Sequence, residues 1–157
     1  MQNLYNFDKL NFITAGMPLR TGKASYPKAF EVLKGMNLDG MELEFVHGVR
    51  MNDANRDFVK EMSKDFVITA HGPFYINLNS QEEEKIDASL QRIIDTAYVA
   101  KQAGAFSITY HAAFYMGKDK ETVYNQVKTQ TRRILDVLEN ENIDVWIRPE
   151  TTGKATQ

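Results

Sequence analysis

Three side chains that can bind a divalent metal follow three apolar stretches of the sequence. One stretch leads directly into His71, a second leads into His111, and a third ends two residues before Glu150. Because the carboxyl ends of parallel strands meet at one edge of a sheet, the three side chains are expected to lie together there. Two imidazoles and a carboxylate suit Zn²⁺, and also Mn²⁺ when more oxygen ligands join them. The sequence therefore predicts a metal site formed by His71, His111 and Glu150.

A metal held in this way would support hydrolysis. A bound metal with open positions lowers the pKa of its water to about 7 and supplies hydroxide at neutral pH. A carboxylate can also bridge two metals, as two-metal hydrolysis of a phosphodiester requires, and Glu150 is the candidate for this catalytic role. Three protein ligands are too few for two or three metals, so further ligands are expected from sequence outside these 157 residues.

The composition is that of one soluble globular domain. The chain has 157 residues, of which 43% are hydrophobic and 25% are charged. Its net charge of -2 creates no general positive field, so nucleic-acid binding would require a local patch. The absence of cysteine excludes disulfides, thiolate nucleophiles and cysteine-based zinc sites. Without a signal-peptide core or a run of about 20 apolar residues, we expect a cytoplasmic protein with no membrane partner.

Strand and helix patterns alternate along the chain. Crossovers of helical length imply parallel strands with the helices outside, so the fold class is α/β. Two architectures fit this order: an open doubly wound sheet and the first half of a (β/α)₈ barrel. Gly16 follows the first strand without a glycine-rich phosphate loop, which disfavours a dinucleotide-binding fold. Strands are predicted at 10–15, 41–45, 66–70, 106–110 and 143–148, and helices after Ser25, after Asn52 or Asp53, after a capping box at 80–83, and at 118–139.

The alternation of side chains favours the barrel. If the three metal-binding side chains point inward, Arg148 does so too, because side chains alternate along a strand. Glu42 and Glu44 share one face of the second strand, and the same rule places them inside. Buried carboxylates need partners, so we predict that Glu42 or Glu44 pairs with Arg148 and that these three residues support the barrel interior.

The length of the chain limits how much of a barrel it can form. A (β/α)₈ barrel typically takes about 250 residues, whereas this sequence stops just after the fifth strand. We therefore interpret residues 1–157 as the N-terminal part of a single barrel domain with five parallel strands and four outer helices; the alternative is a smaller open fold. In a half-barrel the first and fifth strands are unpaired edges, so self-association or marginal stability is expected.

The loop after His71 carries two aromatic residues, Phe74 and Tyr75. They either pack over the rim of the barrel or enter a stack of nucleic-acid bases as a wedge. Asn77 can hold this loop through hydrogen bonds between its side chain and the backbone.

Several charged residues lie in loops or on a helix surface. Arg50, Lys23 and Lys154 are in loops at the same edge of the predicted sheet and could contact phosphates, although single charges are usually just solvated. His47 is interpreted as a surface-loop residue, and residues 132–133, both arginine, as a solvent-facing pair on the outer helix.

Taken in order, these motifs resemble the endonuclease IV family of zinc-dependent apurinic/apyrimidinic endonucleases, which have a xylose-isomerase-like barrel. His71 with the sequence Tyr-Ile-Asn-Leu at 75–78 is similar to the strand-three motif of that family, and His111 after Tyr110 to its strand-four motif. The Glu-Thr-Thr-Gly sequence at 150–153 is similar to its strand-five signature. The resemblance covers nearly the whole chain but only about the first half of the family's domain.

The resemblance implies a trinuclear zinc cluster and cleavage of double-stranded DNA on the 5′ side of abasic sites. It also implies that His71 and His111 are zinc ligands, that Glu150 bridges two zinc ions, and that an aromatic residue after His71 enters the DNA. We expect the DNA-binding residues to be Phe74, Tyr75, Asn77 and Arg50. The remaining ligands of the family lie in its second half, so the 157-residue chain alone is expected to be inactive.

Two other functions are consistent with the same layout. Sugar-phosphate isomerases and epimerases on this barrel resemble it, with a strand-five glutamate as metal ligand and base, but they usually lack the paired histidines of strands three and four. The other possibility is a non-catalytic fragment with an incomplete site. Zinc binding with nicking of an abasic duplex would favour the nuclease, Mn²⁺-dependent ketose interconversion the isomerase, and neither activity the fragment.

Overall fold

The computed structural model describes residues 9–23, 25–151 and 156, in which five parallel strands alternate with four α-helices. None of these helices combines the length and the apolar character needed to cross a bilayer. The strands are β1 (Ile13–Ala15), β2 (Gly40–Glu44), β3 (Val67–His71), β4 (Ser107–His111) and β5 (Trp146–Glu150). The helices are α1 (Tyr26–Gly35), α2 (Asp53–Met62), α3 (Glu83–Gln102) and α4 (Lys120–Asn140), and a short 3-10 helix covers Leu19–Thr21.

Three of the strands end on the predicted metal-binding residues themselves. The sequence pattern ended these strands at residues 70, 110 and 148, whereas their last residues are His71, His111 and Glu150. The hydrogen-bonded ladder of the sheet therefore includes all three. β1 is instead shorter than predicted, because it begins at Ile13 and not at residue 10.

The order of strands in the sheet is the order of strands in the chain, β1-β2-β3-β4-β5, and every neighbouring pair is parallel. In a doubly wound sheet the order in which strands are added reverses at a switch point, whereas in a (β/α)₈ barrel each strand is added beside the previous one. The chain therefore forms a partial barrel, as the parity of the side chains predicted.

The core lies between the outer face of the sheet and the helices. Met41, Leu43, Ile68 and Ile108 point outward from successive strands and are at most 2% exposed. Their positions alternate with those of the inward-facing polar residues, which confirms the predicted assignment of faces. The helices contribute the other half of this core with buried residues including Phe30, Leu33, Val59, Ile93, Ala97 and Ile134.

Side-chain caps begin two of the helices. The Asn52 side chain accepts a hydrogen bond of 2.9 Å from the backbone N–H of Asn55 and caps α2, as predicted. The Asp119 carboxylate caps α4 by accepting hydrogen bonds from the hydroxyl and the backbone N–H of Thr122, and these bonds lower the pKa of Asp119.

The predicted capping box at residues 80–83 is wrong. The Ser80 hydroxyl accepts a hydrogen bond of 3.2 Å from the backbone N–H of Glu82, which closes a turn before the helix. Helix α3 begins only at Glu83, after an N-cap residue, Glu82, whose side chain makes no capping bond.

Gly40 fixes the contact between β2 and β3. It is the register partner of Val67, and a methyl group on Gly40 would overlap the Val67 carbonyl. Only glycine allows this close approach of the two backbones.

Candidate metal centre

His71, His111 and Glu150 converge on the inner side of the sheet. Each offers one ligand atom, and these atoms all lie within 4.8 Å of one another. The Nε2 atom of His71 is 3.5 Å from a carboxylate oxygen of Glu150, and the two imidazole centroids are 5.3 Å apart. Ligands about 2 Å from a tetrahedral zinc ion are separated by roughly 3.3 Å, so small side-chain rotations suffice to hold an ion. The structure thus brings together the three residues that the sequence assigned to one site.

The ring of His71 is oriented for binding a cation. Its Nδ1 atom lies 2.8 Å from the carbonyl oxygen of Gly72, and because a carbonyl only accepts, Nδ1 must carry the proton. In the neutral ring the lone pair is therefore on Nε2, which faces the Glu150 carboxylate. Two acceptors at 3.5 Å repel each other unless a proton or a metal ion lies between them. A backbone carbonyl that orients a histidine through its other nitrogen is typical of metal sites.

His111 has an unsatisfied nitrogen. Its Nδ1 atom is buried and has no hydrogen-bond partner among the described residues. Buried polar atoms usually have a partner, so an unsatisfied nitrogen on a histidine of this cluster fits a site that takes up an ion.

A polar layer lies directly beneath the three residues. Glu42, whose side chain is 17% exposed, accepts a hydrogen bond of 2.9 Å from the Thr69 hydroxyl. The same carboxylate oxygen is 3.8 Å from the guanidinium of Arg148. The predicted pairing of an inward glutamate with Arg148 is therefore confirmed, and Glu42 is the partner.

Glu44 stands beside His71 as its register partner on β2. The residue is exposed as a whole, but its carboxyl group is partly shielded from water, and this burial raises its pKa above the ordinary value of 4.5. His71 opposes that shift, whereas the neighbouring Glu42 carboxylate adds to it. Glu44 thus contributes a second carboxylate to the inner face without a cation of its own among the contacts described.

A cleft of about 440 Å³ opens over this group. Three carboxylates and two imidazoles face one space, and this set of donors favours a cation. The residues around the cleft include Ala15, Glu42, Glu44, Phe74 and the three candidate ligands.

Next to the cleft is an aromatic ridge of three side chains, His47, Phe74 and Tyr75. Phe74 is 55% exposed and Tyr75 is 41% exposed, and their rings meet edge to face at 5.2 Å. His47, an exposed loop residue as predicted, contacts Phe74 at 5.9 Å between centroids. The guanidinium of Arg92 on α3 lies 4.6 Å from the centre of the Tyr75 ring. Arg92 therefore holds Tyr75, Tyr75 and His47 contact Phe74, and both aromatic rings keep a large exposed fraction.

Asn77 holds the loop that carries this ridge, as its sequence position suggested. Its side-chain oxygen accepts hydrogen bonds from the backbone N–H groups of Asn79, at 3.1 Å, and Phe114, at 3.2 Å. These bonds join the loop after β3 to the loop after β4. A direct contact of Asn77 with DNA stays a prediction.

Sequence reasoning missed Asn79, which completes this connection. Asn79 is fully buried and donates to the carbonyl oxygens of Phe114, at 2.8 Å, and Tyr115, at 3.3 Å. Its own oxygen accepts a bond of 3.0 Å from Lys118. The only local signal was an Asn-Leu-Asn pattern at 77–79, which could have suggested a second loop-holding amide.

The other predicted charges are more scattered. Arg50 and Lys23 are exposed loop residues, and Lys154 lies outside the described residues, as do positions 152 and 153 of the strand-five motif. Both arginines at 132–133 are exposed on α4, as predicted, and Arg133 pairs with Glu83 and Asp87 of α3. These observations leave the phosphate contacts as predictions.

Comparison with known proteins places the chain in a family. Residues 30–157 match the model of the xylose isomerase-like TIM barrel. An uncharacterized protein of Methanocaldococcus jannaschii is 46% identical over 148 residues, which cover 94% of this chain and 53% of that protein. The chain spans about half the length of the relatives that it matches.

Solved structures with the same fold include an epimerase-like protein and an endonuclease. A D-tagatose 3-epimerase-like protein superimposes with a TM-score of 0.67 at 15% identity, over 94% of this chain and 55% of its own. Endonuclease IV from Thermus thermophilus gives a TM-score of 0.63 at 15% identity, over 93% and 53% of the two chains. At such identities the likeness concerns the fold alone, so the resemblance to endonuclease IV is confirmed only for the barrel. On the match to its family model, this chain belongs to the xylose isomerase-like TIM barrel family.

Proposed function

We propose that this chain carries part of the active site of a zinc-dependent hydrolase that cleaves the backbone of double-stranded DNA on the 5′ side of abasic sites, and that its 157 residues alone are inactive. The observation that carries the proposal is the convergence of two histidines and one glutamate within 4.8 Å at the ends of three successive strands. Neutral imidazole and carboxylate are the donors that zinc prefers when cysteine is absent.

Within this proposal His71, His111 and Glu150 hold the metal. Zinc, when bound, would act as a Lewis acid toward a phosphoryl oxygen and would lower the pKa of a water molecule. The hydrogen bond from His71 to Gly72 keeps the Nε2 lone pair directed at the site. Glu150 offers two oxygens, so it is the residue suited to bridge a second ion. Mn²⁺ is a second candidate metal because the carboxylate of Glu44 lines the same cleft and could add an oxygen ligand.

The aromatic ridge supports the choice of substrate. An abasic site lacks a base, so the duplex has a gap into which a ring can stack at little unstacking cost. Phe74 and Tyr75 stand exposed at the cleft, and the Arg92 guanidinium packs on the Tyr75 ring. Arg50, exposed in the loop after β2, is proposed to contact a phosphate.

The acidic cleft has a consequence for DNA binding. Glu42 is paired with Arg148, but Glu44 and Glu150 add negative charge where a phosphate would lie. Bound metal would cancel this charge, so DNA binding should depend on zinc.

A sugar-phosphate isomerase or epimerase is the second candidate. The acidic cleft favours it, because carboxylates suit Mn²⁺ and proton abstraction beside a carbonyl. The paired histidines His71 and His111 and the exposed aromatic ridge favour the nuclease instead.

The experiment begins with zinc binding by the 157-residue chain. We expect one or more zinc ions to bind, and His71→Ala or His111→Ala to weaken binding strongly. His47→Ala removes an exposed histidine outside the proposed ligand set and should bind zinc as the unchanged chain does. Equal zinc binding by all four proteins would contradict the proposal.

Activity is then measured on a duplex with one abasic site. The longer Methanocaldococcus jannaschii relative should nick this duplex 5′ to the lesion with zinc and lose the activity with a chelator. The 157-residue chain should bind the duplex only when zinc is present and should not nick it. Ketose interconversion with Mn²⁺, without nicking, would favour the epimerase instead.

A further inference from the structure

Two inward side chains of β5 reach beyond the neighbouring strand. Glu150 extends over β4 to His71 on β3, with 3.5 Å between the atoms, and Arg148 extends over two strands to Glu42 on β2, at 3.8 Å. In the described sheet β5 is hydrogen-bonded to β4 alone. These side-chain contacts therefore link β5 to β2 and β3 across the inner face, in addition to the ladder between β5 and β4.

The path of Arg148 is open because β4 has small side chains on this face. Thr109 is the register partner of Arg148, and Ser107 precedes it on the same face. The guanidinium also lies 5.9 Å from the centre of the Phe106 ring, at the limit of a cation–π contact. Arg148, whose side chain is 45% exposed, thus has two contacts on its way to β2, one charged and one aromatic.

Glu42 requires such a partner. Its side chain is 17% exposed and is held by the Thr69 hydroxyl at 2.9 Å. A carboxylate in that position is unfavourable without a cation, and arginine remains charged at every accessible pH. The need of the shielded Glu42 carboxylate for a cation therefore also favours the contact with Arg148.

We infer that Glu42 and Arg148 are positioning residues for the metal-binding carboxylate of Glu150. Arg148 stands two residues before Glu150 on the same face of the same strand, so a tether at Arg148 fixes where the carboxylate stands. The inference rests on the proposed function only in that His71, His111 and Glu150 bind a metal. Without the tether β5 is held through its ladder with β4 alone, and we expect the distance from Glu150 to His71 to lengthen.

An electrostatic role and a positioning role of Arg148 predict opposite changes in metal affinity when Arg148 is removed. A positive charge near a cation site weakens cation binding, so removing it should tighten binding if Arg148 acts only through its field. Positioning requires that removing it weaken binding. The direction of the change therefore separates the two roles.

The decisive variant is the double substitution Glu42→Gln with Arg148→Met. It leaves the net charge unchanged and removes both partners of the Glu42–Arg148 pair together, so neither is left as an unpaired charge and the fold should persist. We expect zinc affinity, measured by competition with a chromogenic chelator, to fall by about 10-fold or more, as when a supporting contact to a metal ligand is lost. An affinity equal to that of the unchanged chain would overturn the inference.

The single variant Arg148→Met should also bind zinc more weakly, whereas equal or tighter binding would overturn the inference. Arg132→Met removes an exposed arginine on α4 and should leave the affinity unchanged. The visible absorption of bound Co²⁺ reports ligand geometry and should change in the double variant; an unchanged spectrum would contradict positioning. If His71→Ala binds zinc as well as the unchanged chain does, the proposed metal site itself fails, which is a different result.

Discussion

Glu42 is paired with Arg148, whereas the ion pairs described include none for Glu44. Partial burial raises the pKa of Glu44. A carboxyl group whose pKa rises on folding favours the folded state most when it is protonated. Its contribution is lost as the pH rises above 4.5, the ordinary value at which the unfolded group ionises. At neutral pH the ionised Glu44 therefore opposes folding of the metal-free chain.

Replacing Glu44 by glutamine imitates the protonated group at every pH. We expect Glu44→Gln to raise the midpoint of thermal unfolding at pH 7 in the presence of a chelator, and the gain to vanish below pH 4.5, the ordinary pKa. Glu139→Gln, which removes an exposed charge on α4, serves as the control. A gain that persisted at the lower pH would show that ionisation is not its cause.

At the scale of elements, the loops after β3 and β4 behave as one unit because Asn79 joins them. Asn79→Ala would leave the carbonyl groups of Phe114 and Tyr115 without their donor. We expect the free energy of unfolding to fall by about 2 kcal/mol, measured with a chemical denaturant. Asn125→Ala, at an exposed position on α4, should change it little. A loss smaller than that of the control would mean that water replaces these bonds.

The strands and faces could be predicted from sequence because alternation is a local property. The parity rule alone placed Glu42 and Glu44 on the same inner face as Arg148, and the structure shows that Glu42 is the partner. Contacts between loops have no such pattern. Asn79 donates to the carbonyl of Phe114, 35 residues away, and neither segment has a sequence feature that predicts this pair. The predicted cap at Ser80 failed for the same reason, since its hydroxyl is engaged in a turn that only the folded loop defines.

For the whole molecule, the two end strands of the described sheet have one paired side each. β1 and β5 occupy these ends, and large apolar side chains beside them are exposed, with Phe12 at 61% and Trp146 at 50%. Such edges and apolar surfaces favour association with other chains. We expect the 157-residue chain to form larger species as its concentration rises, measured by sedimentation velocity. A single monomeric species up to high concentration would contradict this expectation.

Each proposed ligand is the last residue of its strand, with its backbone inside the ladder. A loop at the opposite edge of the sheet can therefore gain or lose residues in evolution without moving the ligands. Insertion of one residue within β3, β4 or β5 would instead turn a ligand toward the helices. Homologues that keep the three proposed ligands should thus differ in the length of those distant loops but never in the spacing inside these three strands.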